Sequence, residues 1–319
     1  MAALTASIAI STIATRFSTP PTTDTTATTP HPPEGMVLIP TAEFDMGSSE
    51  QAIDDTFAWC KTQSSSCRRE LYERERPVRR VRVSAFFLDR RERSNAELAA
   101  WLSSAPELRV DSDGWAWIGA VRVADLYSTS SPLRADHGAV AVDPHHPEAG
   151  ALPASYVTND GARAFCRALG FDLPTEAQWE RAARGPEGRR FAWGDDLPTC
   201  DRAVYARVEH ETCASAGRGP LPAASELLDR TPEGVLHLSG NVAEWVRDRF
   251  APYPACPQPC VDPVVEPTPS TDELRVVRGG NADGLAEQLR GAGRSQFAAR
   301  SANRGIGFRC AASLPGGSR

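Results

Sequence analysis

The residues of this chain best suited to chemistry are its eight cysteines, Cys60, Cys67, Cys166, Cys200, Cys213, Cys256, Cys260 and Cys310. None lies in a CxxC pair, and none of the close Cys/His spacings of a zinc site is present. Cys60 with Cys67, Cys200 with Cys213 and Cys256 with Cys260 are near neighbours along the chain. That suits short disulfide-closed loops in an oxidising compartment. Free buried thiols in a cytosolic protein are the alternative reading, and eight cysteines allow about 105 pairings, so spacing leaves the connectivity open. Ser239 lies in LSGN, which is not a nucleophile elbow. His145-His146 sits between prolines, where adjacent side chains of an extended segment point apart, and reads as a solvated loop. A β-branched run, Val276-Val277, ends at Arg278-Gly279-Gly280-Asn281. The loop beyond it holds no Cys, His or Ser before Ser295. Its carboxylates, Asp283 and Glu287, are the candidate general bases and otherwise read as exposed loop acids. Gly291-Ala292-Gly293-Arg294 reads as a turn, with Arg294 and Asn281 as candidate binding residues.

The elements that must position these residues are short. MVLIPTAEFDMGS, from Met36, reads as strand, turn and strand. Arg79 to Asp89 reads as one strand. Ser94–Glu97 and Thr175–Gln178 are capping boxes that start helices running to about Leu102 and Ala183, and a third helix covers Asn159 to Leu169. Further short strands are expected at Val235–Leu238, Glu244–Val246, Leu274–Arg278 and Gly307–Cys310. Residues 51–75 and 103–152 read as insertions, the second carrying Trp115 and Trp117 in DSDGWAWIG as candidate contact residues. Few helices, many loops and short strands make an α+β domain of low secondary-structure content. Residues 1–34 read as a leader remnant followed by a Thr/Pro-rich tether, and 35–315 as the folded domain. The apolar run Ala2–Ala14 is too short for a membrane span and lacks a positive n-region. A net charge of −6 gives no reason to expect nucleic acid, and no stretch approaches a transmembrane helix.

In order along the chain, GMVLIPTAEFDMGS, RPVRRVRVSAFFLDRRERSNAELAAWL, AFCRALGFDLPTEAQWERAARG with FAWGDD, TPEGVLHLSGNVAEWVRD, RVVRGGN and RSANRGIGFRC are similar to the motifs of the formylglycine-generating enzyme, or sulfatase-modifying factor, family. The resemblance implies that family's loop-rich, C-type-lectin-like fold. It implies structural roles for Thr175, Trp179, Trp193, Asn241, Trp245, Arg278, Gly279, Gly280, Phe308 and Arg309, and a Cys166–Cys310 disulfide. It also places a calcium loop at HLSGNVAEW, with ligands from the Gly240 and Val242 carbonyls and Glu244. His237 stands there where a hard oxygen ligand is implied, which weakens the ion's case.

One departure carries more weight. The family's oxidases convert a cysteine of a target sulfatase to formylglycine, using oxygen and a copper ion held by two cysteines after the RGGS motif. Here Gly284 and Leu289 stand at those two positions, Asn281 replaces the serine, and Ala243 replaces the first Trp of the frequent GNVWEW form. Cuprous copper needs soft thiolates, so copper and formylglycine generation are not expected. The remaining expectations are an exported recognition or structural module with a protein, peptide or glycan ligand, in a periplasmic or cell-surface location. A non-copper oxidoreductase on a peptide or small-molecule precursor, and an accessory subunit of a sulfatase or kinase system, are the alternatives.

Overall fold

Alternation and capping decide where the chain becomes regular. The computed structural model describes residues 31–208, 211–212, 219–226, 228–268, 270 and 272–314, and the described residues from 32 onward form a single compact unit. The expected leader remnant, the tether as far as residue 30 and Cys213 lie outside the described residues. The elements are, in order, β1 (Met36–Ile39), β2 (Ala42–Met46), α1 (Glu50–Lys61), α2 (Glu70–Glu73), β3 (Arg79–Val83), β4 (Phe86–Asp89) and α3 (Asn95–Ser104). Then follow β5 (Leu108–Val110), β6 (Trp115–Ile118), β7 (Val121–Asp125), β8 (Leu133–Asp136), β9 (Ala139–Val142), α4 (Asn159–Ala168) and α5 (Glu176–Arg184). The rest are β10 (Ala206–Val208), β11 (Glu211–Thr212), β12 (Ala243–Arg249), β13 (Cys260–Val261), β14 (Leu274–Arg278), β15 (Arg294–Ala298), β16 (Ile306–Gly307) and β17 (Ala311–Ser313). Helix accounts for 20% and strand for 26%, the mixed, loop-rich balance that the sequence implies.

Both capping boxes form. The Ser94 hydroxyl accepts from Glu97 N while the Glu97 carboxylate takes Ser94 N, and Thr175 and Gln178 exchange the same pair of bonds. The sheet that matters most runs β15-β14-β12-β16, with β14 antiparallel to both neighbours and β16 parallel to β12. Successive side chains of β12 and β14 leave on opposite faces. Trp245 and Val277 therefore join the core built on α3, α4 and Phe308, while Val246 and Val276 join the one built on α5, β2 and β3.

Two expectations change, a third shifts, and the two insertions gain elements that the sequence left unassigned. Arg79 to Asp89 is two strands, because β3 pairs with β2 and β13 whereas β4 crosses to β1 and β17. Val235–Leu238 is not a strand. Its backbone is turned by bonds from Leu236 N to Arg90 O and from His237 N to Asp229 O, with His237 at φ 57°. The strand expected at Gly307–Cys310 is offset: Gly307 ends β16, and Phe308–Cys310 is irregular before β17. The two insertions, to which the sequence assigns no elements, are structured. Residues 51–75 fold as α1 and α2, with Ser49 capping α1, and 103–152 carry β5 to β9.

Disulfides join Cys60 to Cys67, Cys166 to Cys310 and Cys256 to Cys260, and Cys200 is also disulfide-bonded. Cys166–Cys310 ties the end of α4 to the approach to β17 across a sequence separation of 144. Among the described residues, no helix is long and apolar enough to cross a membrane.

Candidate functional site

Register aligns a row of charge across the main sheet. Glu244 of β12 stands opposite Arg278 of β14, which stands opposite Arg294 of β15. Helix α5 lies on this row and offers carboxylates at i and i+4. Arg278 donates to Glu180 at 2.5 Å and to Glu176 at 3.2 Å, and Arg294 grips both oxygens of Glu176 at 2.5 and 2.9 Å. Between them Trp179 donates Nε1 to Glu244 Oε2 at 2.9 Å, and Arg309 closes on Glu244 from the far side at 2.6 and 2.8 Å. All of these side chains are buried. The Arg278 guanidinium is held charged by Glu180 and Glu176 against the cost of its burial. Arg294, expected as a binding residue, grips Glu176 and also lines the cavity that opens beyond β14.

At the end of β14 the chain turns on Gly279 (φ 97°) and Gly280 (φ 69°). A Cβ on Gly279 would stand 3.1 Å from the Trp179 ring, and one on Gly280 would stand 2.9 Å from Gln288 O. The glycine pair is thus required both by its dihedrals and by close approach. It opens onto a cavity of 260 Å³ whose other walls come from α1, α2 and the turn Ala286–Leu289. Asn281 stands at its rim and folds the loop back, accepting from Asp283 N at 3.0 Å and donating to Gly305 O at 3.3 Å.

Glu287 lines this cavity and is 1% exposed, not the solvated loop acid the sequence suggests. Its Oε1 accepts from Tyr72 OH at 3.4 Å and lies 3.5 Å from Cys60 Sγ. Its Oε2 has no hydrogen-bond partner among the described residues. Burial pushes the Glu287 carboxyl above the ordinary range, opposed in part by Arg290. Arg290 is spent on Glu75, at 2.5 and 2.9 Å, so it does not neutralise Glu287 alone. The disulfide Cys60–Cys67 forms part of the same wall. Asp283, by contrast, is the exposed acid that the sequence suggests, paired with Arg304 at 2.7 Å.

A second buried cluster lies behind the sheet. Asn241, in the left-handed region at φ 63°, donates to Glu92 Oε1 at 3.0 Å and accepts from Leu221 N at 2.8 Å. His237 Nε2 meets Ser225 O at 2.7 Å, and Asp229 accepts from Ser239 N at 2.9 Å. Burial, opposed by Arg309, raises Glu92 to about 8, and burial, opposed by His237, raises Asp229 to about 7. The His237 imidazole is pushed down by burial. An acid whose folded pKa is raised holds its proton in the native state after the unfolded chain has lost it. Its contribution to stability is therefore lost as pH rises between the two values. For Glu92 that window runs from 4.5 to about 8, and for Asp229 from 3.8 to about 7. His237 acts the opposite way, below its unfolded value. Thermal melts at constant ionic strength should fall from pH 6 to pH 8.5 in the wild type, and Glu92→Gln should flatten that slope. An unchanged slope in the variant would show that Glu92 is ionised in the folded protein.

Trp117 and Trp115 lie on β6, stacked with cations: Arg109 is 4.4 Å from the Trp117 ring and Arg122 is 4.6 Å from the Trp115 ring. Trp117 also donates Nε1 to Asp111 at 2.7 Å and lines a separate cleft with Trp101, Arg122, Arg163 and Arg167. Trp193 stacks on Phe191 at 5.0 Å, and Trp245 donates to Val157 O at 3.0 Å. Phe308 meets Phe165 edge-on in the core.

The Sulfatase-modifying factor enzyme 1-like domain family matches residues 22–314 of this chain. The chain belongs to that family. It is 31% identical to the formylglycine-generating enzyme of Streptomyces coelicolor, over 89% of this chain and 91% of the relative. It is also 31% identical to the hercynine oxygenase of Mycolicibacterium thermoresistibile, over 68% of this chain and 48% of that protein. Among solved structures, PvdO from Pseudomonas aeruginosa superposes with a TM-score of 0.58 at 19% identity, covering 88% of this chain and 94% of that one. The fold is the family's loop-rich, C-type-lectin-like one.

Two ions that the family implies can be weighed against these residues. For copper, Leu289 is fully buried among Phe191, Ala203, Tyr205 and Ala286, and Gly284 offers no side chain. Among the described residues no cysteine is free, so the loop supplies no thiolate and does not fit the ion. For calcium, both oxygens of Glu244 are taken by Arg309 and Trp179. Glu244 could join a cation at the Gly240 and Val242 carbonyls only by giving up its buried guanidinium partner, so this set does not fit calcium either. Neither Tyr72 nor Arg290 stands out in the sequence, and the spacing of Cys60 and Cys67 shows a pair but not that it walls the cavity. No local pattern marks residues that meet only through α1 and α2 folding onto the glycine turn.

Proposed function

We propose that this family member does not generate formylglycine and acts as an exported recognition module, holding a peptide or glycan ligand at the cavity beside Gly279–Leu289. The observation that carries this reading is the donor set of the loop. Where the family resemblance implies two thiolates, the chain places a glycine and a buried leucine, while Glu287, Arg74 and Asn281 line the space beside them. A small cavity with a few polar groups on a rigid scaffold suits recognition. The disulfides support an oxidising, extracytoplasmic setting. The rival contact surface is the insertion face at Trp115 and Trp117.

A peptide and glycan display selection on the full chain distinguishes the two faces. Ser295 is exposed at the cavity rim, and Ser295→Trp should abolish binding of the selected ligands while Trp117→Ala leaves it intact. The reverse pattern would move the site to the insertion. A non-copper oxidoreductase is the second reading. It is favoured by Glu287, whose raised pKa and free oxygen suit a general base.

A further inference from the structure

We propose that the Cys60–Cys67 disulfide is a covalent capture site for a thiol-bearing ligand, such as a cysteine of a peptide held in the cavity, with Glu287 as the acid that protonates the departing sulfur. This rests on the reading of the cavity as the ligand site and adds the class of ligand it takes.

The placement carries the proposal. Both sulfurs belong to residues that line the cavity, yet they differ in access. Cys60 is 2% exposed on the buried face of α1, whereas Cys67 is only half-buried. This difference makes Cys67 the sulfur we assign to attack by an incoming thiolate. Cys60 Sγ lies 3.5 Å from Glu287 Oε1. A disulfide sulfur carries no proton, so any hydrogen bond across this contact must run from a protonated Glu287 to sulfur. The groups facing Glu287 are the Tyr72 hydroxyl, the disulfide, Gln288 and Arg290, and Arg290 is bound to Glu75. Its second oxygen is buried without a partner. A neutral carboxyl is the form this setting favours, and burial raises its pKa accordingly. Partly exposed Arg74 lines the same cavity and favours an approaching anion.

The step balances as an exchange. The ligand thiolate attacks Cys67 Sγ, the Cys60–Cys67 bond breaks, and a ligand–Cys67 disulfide forms. The electron pair leaves on Cys60 Sγ, which takes the proton from Glu287 and becomes a thiol, leaving Glu287 ionised. The ligand sulfur is oxidised and Cys60 is reduced. A thiolate leaving into a buried site is slow to depart unless it is protonated, which is the role given to the carboxyl. The disulfide Cys256–Cys260, which does not line the cavity, provides an internal comparison.

The test uses the full chain with reduced glutathione as the probe, an acid quench and alkylation, and peptide mapping by mass spectrometry. The expected result is glutathione on Cys67 with Cys60 alkylated, formed at least about tenfold faster than any adduct at Cys256 or Cys260. Glu287→Gln, which keeps the hydrogen bond to Tyr72, should slow the adduct at least roughly tenfold. An adduct that forms equally at both disulfides, or none at Cys67, would overturn the proposal, as would an unchanged rate in a folded Glu287→Gln variant. Absence of the adduct while Ser295→Trp still abolishes ligand binding would remove covalent capture and leave recognition standing. Loss of the cavity reading would show instead as ligand binding indifferent to Ser295→Trp.

Discussion

Arg309→Leu is expected to lower the stability of the domain by about 3–5 kcal/mol, since it strands the Glu244 carboxylate without a cation. In a domain of this size that corresponds to a fall in Tm on the order of 10 °C. Arg309 is fully buried, chelates both oxygens of Glu244, and donates to the carbonyls of Asp89 and Leu236. It thus joins β12 to β4 and to the turn at His237. Breaking a buried pair costs more than replacing it whole, because the remaining ion keeps its desolvation cost. The double variant Glu244→Met/Arg309→Leu should therefore lose less than the sum of the two single changes. Urea melts of the singles and the double check this. Additive losses would mean that the two residues act independently.

The second large effect is the Cys166–Cys310 disulfide. Converting both residues to alanine should cost about 4–5 kcal/mol by the chain-entropy estimate, before any loss from the cavity left in the core. The same change at Cys256 and Cys260, which close a separation of only 4, should cost about 2 kcal/mol. Equal losses in non-reducing melts would contradict loop closure as the source of the stability.

Much of the fold can be read locally. Ser94, Glu97, Thr175 and Gln178 announce two helix starts at fixed spacing, and both capping boxes form with those bonds. The strand Leu274–Arg278 and its glycine stop are equally plain in sequence. The break inside Arg79–Asp89 left a signal too. RVRV alternates between exposed and buried residues, whereas FFLD is buried throughout, and that change of period marks the passage from one sheet to another. Val235–Leu238 is apolar enough for a strand but is turned by backbone bonds to Asp229 and Arg90, partners that no local pattern reveals. The polar residues 51–75 hid two helices because their apolar positions, Ile53, Cys60 and Tyr72, find partners only in tertiary contact.

The site was legible in part. The blank loop after Gly280 could be read as an altered metal site from residue types alone, because thiolates are either present or absent. The burial of Glu287 could not. It depends on Tyr72 and Cys60, residues more than two hundred positions away, closing over the turn Ala286–Leu289. The role of Glu244 as an ion-pair partner depends in the same way on Arg309, 65 residues downstream.

We propose that this family member does not generate formylglycine, and one measurement tests it directly. The decisive measurement incubates the full chain with cuprous ion, oxygen and a CxPxR-type cysteine peptide, followed by reduction and mass spectrometry of the peptide. The expected result is a peptide of unchanged mass after reduction, whatever disulfide it formed beforehand. Conversion of its thiol to an aldehyde would contradict the claim and require a copper site that does not depend on the loop Asn281–Leu289.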